Sequence, residues 1–146
     1  MIESILVPVD GSEPSRKALD FACCLALKFN ADLSLIYVVE ATDADQSLFM
    51  GTAHVTVSRV KEETLKTGKS IINAATDIAK QHGCDIKNRK VASGSAVNSI
   101  LEYAESHNVD TVVMGSRGLG NVAGLLLGSV SHKVAHLAKC TCITVR

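Results

Sequence analysis

Short β-branched runs alternate with stretches of helical spacing along the whole chain. Ser4–Val9, Asp32–Val39, Asp85–Ala92, Thr111–Met114 and Thr141–Val145 read as five strands. Between them, residues suited to a packed helix face recur at intervals of three and four. These are Ala18, Phe21, Ala22, Leu25 and Phe29 in the first helix, and Thr64, Gly68, Ile71, Ala75 and Ile78 in the second. The third helix carries Val97, Ile100, Leu101 and Ala104, and the last Val130, Val134, Leu137 and Ala138. Each face needs a sheet to cover. Strict alternation of strand and helix implies right-handed crossovers, and so predicts an α/β fold: a single doubly wound, five-stranded parallel sheet with helices on both faces. The segment from Glu40 to about Thr56 is a longer connection than the others, of the length expected for a lid or a partner-binding loop.

Composition narrows this picture. With 146 residues, 47% of them hydrophobic, there is material for one core, and residues 1–146 read as one domain. Fifteen basic residues balance fifteen acidic ones and only 3% are aromatic, which argues against nucleic acid as a partner. No apolar run reaches membrane-span length and the start, Met1 to Ile5, has no positive n-region, so a cytoplasmic location is expected. The five cysteines (Cys23, Cys24, Cys84, Cys140 and Cys142) form no C-x-x-C pair and read as reduced thiols.

The chemistry concentrates at the fourth strand and the last helix. Gly115, Ser116, Arg117 and Gly118 are followed after nine residues by Gly128 and Ser129, placing glycines on a strand–loop–helix junction. There the free amides and the dipole of the following helix favour an anion by roughly 0.3 to 1 kcal/mol. A P-loop is excluded, because Asn121 and Val122 stand where lysine and serine or threonine would be needed. A dinucleotide fingerprint, Gly118, Gly120 and Ala123, lacks its ribose-binding acid, since no Asp or Glu follows Asp110. The same lack leaves Arg117, Lys133 and Lys139 without a competing carboxylate in that segment. At the end of the first strand, Asp10 reads equally as a ligand contact or as an Asx turn before Gly11, and Ser12 as a helix cap. Ser95, after Ser93 and Gly94, reads as another cap. His132 and His136, spaced i, i+4, lack a third ligand and read as a solvated surface rather than a zinc site.

Pro8 to Ser12, Val113 to Gly118 and Gly128 to Ser131, with the complete spacing G-x2-G-x9-G-S, resemble the universal stress protein family in its ATP-binding branch. The likeness extends through Ala31–Val38 and Cys140–Val145, with Tyr37 in place of a frequent histidine and Thr141 in place of a frequent proline. It implies a Rossmann-like sheet of the adenine nucleotide alpha hydrolase type and a bound ATP with magnesium. By position, Pro8, Val9, Asp10 and Val38 would form the base and ribose pocket, with backbone groups of Val9 and Val38 on the base edge. Met114, Gly115, Arg117 and Gly118 would wrap the ribose and phosphates, and Gly128, Ser129, Val130 and Ser131 would offer amides and hydroxyls to the phosphate chain. The resemblance further implies a homodimer through the last strand, which a proline at Ile143 is expected to break.

No Ser-His-Asp or Cys-His set and no paired carboxylates accompany the glycines, so no catalytic residue is assigned and any ATP hydrolysis should be slow. The expected function is a nucleotide-dependent sensor or regulator in the stress response that acts on a protein partner. Two alternatives stand beside it: an adenylate-forming or slow ATP-hydrolysing enzyme, and an interaction module that uses no nucleotide.

Overall fold

Alternate strand residues fill both sides of a central sheet, as the sequence pattern requires. The computed structural model describes residues 1–40, 54–120 and 127–146, with side chains of the second helix from Glu62 onward. The elements run β1 (Ser4–Pro8), α1 (Glu13–Phe29), β2 (Asp32–Val39), α2 (His54–Gln81), β3 (Ile86–Ser93), α3 (Ala96–Ser106), β4 (Thr111–Gly115), α4 (Ser129–Leu137) and β5 (Thr141–Val145). All strand pairs are parallel, in the order β3-β2-β1-β4-β5. Ile5, Val7, Leu33, Leu35 and Val113 point to the side covered by α1 and α2, whereas Leu6, Ile36, Val112 and Met114 point to the side covered by α3 and α4. The expected doubly wound architecture is therefore the observed one.

The order places a switch point between β1 and β4, where successive connections leave in opposite directions. These neighbours pair only at Ile5 with Thr111 and Leu6 with Val112. Beyond that, β1 stays with β2 as far as Pro8 and β4 stays with β5 as far as Gly115. A crevice consequently opens between their carboxyl ends.

Three expectations shift in the structure. In α1 the buried residues are Ser15, Ala18, Leu19, Ala22, Cys23 and Ala26, so small side chains let the helix lie close to β1 and β4. Phe21 and Phe29, expected inside, are each 43% exposed. The helical period was right and its phase was rotated toward the β5 side of the helix. Helix α2 starts at His54, ten residues before Thr64, because Val55, Val57 and Val60 mask a helical start behind weak helix formers. Most of the Glu40–Thr56 segment and the Asn121, Val122 and Ala123 positions lie outside the described residues. Leu137, at the last turn of α4, extends past the core and is exposed.

The two sheet edges differ. β3 presents exposed Lys87, Asn88, Arg89 and Lys90, charges that discourage further strand pairing. β5, Thr-Cys-Ile-Thr-Val, carries no charge and ends the sheet on the other side. Thr141 donates to Asp110 and Val145 accepts from Ser116, so the peptide groups of Thr141, Ile143 and Val145 face β4, and those of Cys142 and Thr144 face outward. A proline at Ile143 would thus break the internal ladder rather than the free edge; Thr144 is the position that tests the edge.

Asp110 ties the amino-terminal residues to β4. Its carboxylate accepts the amides of Glu3 at 2.7 Å and Ser4 at 2.8 Å and the Thr111 hydroxyl at 2.7 Å. Burial alone pushes this carboxyl up, but the three hydrogen bonds outweigh it and hold the group below its ordinary value. A depressed folded-state value means that the stabilisation is complete above the unfolded carboxylate range and lost as pH falls through the folded value. Asp110→Asn is expected to cost about 1–3 kcal/mol at neutral pH, with the gap to the parent closing below about pH 4, in urea melts at several pH values. A constant gap across that range would refute the assignment.

Candidate functional site

The crevice at the switch point is a cavity of about 480 Å3, a volume suited to a nucleotide-sized ligand. The residues to which the resemblance gives a ligand role, from Pro8, Val9, Asp10 and Val38 through Met114, Gly115, Arg117 and Gly118 to Gly128, Ser129, Val130 and Ser131, all line it. The fold brings them together from the ends of β1, β2 and β4 and the start of α4.

One wall is apolar. Ile36, Val38, Ile100, Met114 and Val130 belong to or pack against the core on the α3 and α4 side and reach the cavity. At its edge the backbone supplies polarity. Val9 donates its amide to the Ile36 carbonyl at 2.9 Å, which leaves only its carbonyl for a ligand. Because peptide groups alternate along a strand, Val38 turns its N–H and C=O the same way as Ile36, toward the side that β1 has already left. A planar heterocycle against this wall would meet a donor and acceptor there.

The turn after β1 is self-supporting. Asp10 Oδ1 accepts the Ser12 amide at 2.9 Å, the Asx turn anticipated as one of two readings, and the Asp10 amide donates to Ser15 Oγ at 3.2 Å. Ser12 caps α1 by accepting the Ser15 amide, as expected, and Gly11 takes φ +82°, where a side chain would be strained. The other carboxylate oxygen of Asp10 lies toward Gly118: a Cβ added at Gly118 would stand 2.7 Å from it.

The motif glycines serve proximity rather than left-handed backbone, since none of them has a positive φ. A Cβ at Gly115 would stand 2.7 Å from the Pro14 carbonyl carbon and 2.8 Å from the Ser15 nitrogen, and one at Gly128 would stand 3.4 Å from the Arg117 Cα. Gly120 has open space and no such constraint.

At the end of the cavity beside α4, the structure divides the roles implied by the resemblance. The Gly128 amide and the Ser131 hydroxyl both donate to the Ser116 carbonyl, at 2.7 and 2.8 Å, so they brace the loop and face away from a ligand. The amides of Ser129, Val130 and Ser131, in the first turn of α4, are left for an anion, and among the described residues no side chain caps this helix. Arg117 lines the cavity and makes no ion pair among the described residues.

Sequence reasoning did not single out Ser15, Ile36, Tyr37, Glu40, Ala96, Ile100, Leu119 and Gly120 as part of this wall. Tyr37 had a detectable signal: Gly68, a glycine in the α2 pattern, makes room for its ring, and a Cβ there would stand 2.8 Å from Tyr37 Cδ1. Lys139, with no competing acid in its own segment, pairs at 2.8 Å with Glu105 from outside it. His132 and His136 are exposed, and no metal-binding group of His, Cys, Asp or Glu exists among the described residues. All five cysteines are free; burial pushes the Cys23 thiol up to about 12 and the Cys142 thiol to about 11, leaving both protonated at neutral pH. Among the described residues no helix is long and apolar enough to cross a membrane.

Known proteins resemble this chain over its whole length. The model of the universal stress protein family matches residues 1–146. Universal stress protein YxiE of Bacillus subtilis is 34% identical over 149 aligned residues that span 100% of both chains. Among solved structures, a universal stress protein from Lactobacillus plantarum shares the fold with a TM-score of 0.82 at 24% identity, covering 99% of this chain and 98% of its own. A universal stress protein solved in complex with cAMP is 28% identical, with a TM-score of 0.70, covering 99% of this chain and 96% of its own.

Proposed function

The chain belongs to the universal stress protein family, and we propose that it is an ATP-binding member in which the bound nucleotide biases a surface read by a protein partner. The observation that carries this reading is the convergence, on one cavity, of an apolar wall with the Val38 peptide groups at its edge and the open amides of Ser129, Val130 and Ser131. Adenine fits the wall, the ribose hydroxyls fit the free oxygen of Asp10, and the phosphates fit the start of α4 beside Arg117. A related structure that holds cAMP supports an adenine nucleotide as ligand. Magnesium would enter on the phosphates with water as its remaining ligands, since Asp10 Oδ1 holds the Ser12 amide and the ribose would take the other oxygen.

The arrangement holds a nucleotide without an evident means of cleaving it. Among the described residues, Asp10 and Glu40 are the carboxylates lining the cavity, Asp10 is engaged by the Ser12 amide, and no histidine lines it. Binding with little or no turnover is the expected behaviour. Calorimetric titration with ATP, with and without magnesium, should give micromolar affinity and one site per chain. No saturable heat up to about 1 mM, a limit near −4 kcal/mol, would refute the proposal and favour a nucleotide-independent interaction module.

We also propose a homodimer built on β5. Its uncharged edge offers the outward peptide groups of Cys142 and Thr144, and α1, which packs on β5, exposes Phe21 and Phe29. Thr144→Pro removes an outward amide and leaves the β4 ladder in place. Light scattering is expected to find mostly monomer for this variant, and an unchanged dimer would move the interface elsewhere.

A further inference from the structure

A second cavity, of about 460 Å3, adjoins the first and shares Arg117, Gly118 and Leu119 with it. Its remaining wall is formed by the start of α1 together with Ser116 and Arg146.

Three features of this wall suit an anion. Arg117 and Arg146 form no ion pair or hydrogen bond among the described residues, so two guanidinium groups border one space without a partner. The Glu13 side chain, which also lines the wall, is already held by Arg16 through bonds of 2.9 and 3.1 Å. Ser116 is only 4% exposed and both its backbone groups are bonded, yet its hydroxyl has no partner among the described residues. Ser116 lines this second cavity and not the first. A hydroxyl and two unpaired arginines lining one cavity suit a phosphate, which accepts bidentate bonds from guanidinium and a further bond from a hydroxyl.

We propose that this cavity is a phosphate subsite, distinct from the nucleotide phosphate site at the start of α4, and that Arg117 borders both. The phosphate comes either from a small molecule bound beside the nucleotide or from the far end of the nucleotide's own phosphate chain. The subsite itself does not depend on nucleotide binding; the sharing of Arg117 does rest on the ATP reading above.

The test is calorimetric titration with inorganic phosphate in a phosphate-free buffer, on the full chain alone, saturated with AMP and saturated with ATP. Phosphate is expected to bind the AMP complex at one site, the second cavity, and the free chain there and at the start of α4, where AMP displaces it. Arg146→Gln and Ser116→Ala should each weaken binding at the second cavity roughly tenfold, the loss of a charge-assisted or buried hydrogen bond, and leave AMP affinity unchanged. Ser116→Ala keeps every backbone bond of the loop, so its reading survives if Arg146→Gln alters folding. Binding that persists with ATP identifies a separate small molecule as the source, whereas exclusion by ATP but not AMP identifies the nucleotide's own chain. Loss of all phosphate binding in the AMP complex, indifference to both substitutions, or no saturable phosphate binding would each overturn the subsite. Failure of the chain to bind AMP or ATP would refute the nucleotide reading alone, since the phosphate titration of the free chain is independent of it.

Discussion

Replacing Gly118 with glutamate is expected to reduce ATP affinity at least about a hundredfold, a loss near 3 kcal/mol, in the same calorimetric titration that establishes binding. Two effects combine. Any Cβ at this position stands 2.7 Å from Asp10 Oδ2, so either the loop or the Asp10 carboxylate must move from where it would meet a ribose. The added carboxylate then faces both Asp10 and the incoming phosphates, and like charges in a partly desolvated cleft oppose binding strongly. Gly118 is exposed, so the melting temperature should change little. Gly118→Ala separates the two effects by keeping the steric conflict without the charge, and should show a smaller loss. Undiminished affinity in Gly118→Glu would place the nucleotide elsewhere.

Gly115→Ala is expected to act in the opposite way, on the fold before the ligand. Its Cβ would meet the Pro14 carbonyl carbon, the Ser15 nitrogen and Pro14 Cβ at 2.7, 2.8 and 2.9 Å. These atoms belong to the first turn of α1, which Ser12 caps, and they cannot rotate aside as a flexible side chain would. Overpacking of this kind should cost about 3 kcal/mol and lower the melting temperature by roughly 6–12 °C in differential scanning calorimetry. A shift of less than a degree would show that α1 can slide away from β4 and that the close approach is not a constraint.

These two glycines illustrate how much of the molecule could be read in its sequence. β-Branched runs and helical spacing located each described strand and helix, because such runs suit a buried strand and the period of a helix's buried face follows from its geometry. The G-x2-G-x9-G-S spacing located one end of the cavity, and Pro8 to Asp10 the other, because doubly wound sheets gather such loops at the carboxyl ends of their strands. What escaped depended on distant partners. Which flank of α1 is buried depends on where β4 and β5 lie, so Phe21 and Phe29 were placed inside. The inward turn of the Ser131 hydroxyl depends on a carbonyl at Ser116, and the neutralisation of Lys139 on Glu105. Strand direction in β5 is legible, but which of its amides faces outward appears only once Thr141 and Val145 are seen bonded to β4 and its following loop.

The short pairing between β1 and β4 gives the sheet a mechanical character. It is two stiff leaves, β3-β2-β1 and β4-β5, joined along a narrow seam at Ile5–Thr111 and Leu6–Val112 and splinted from one side by α1. A nucleotide whose base leans on the first leaf and whose phosphates reach the start of α4 would span the seam as a strut. The length of the strut, rather than the tightness of its grip, would then set the spacing of the leaves, and a monophosphate and a triphosphate would leave one chain in two different shapes.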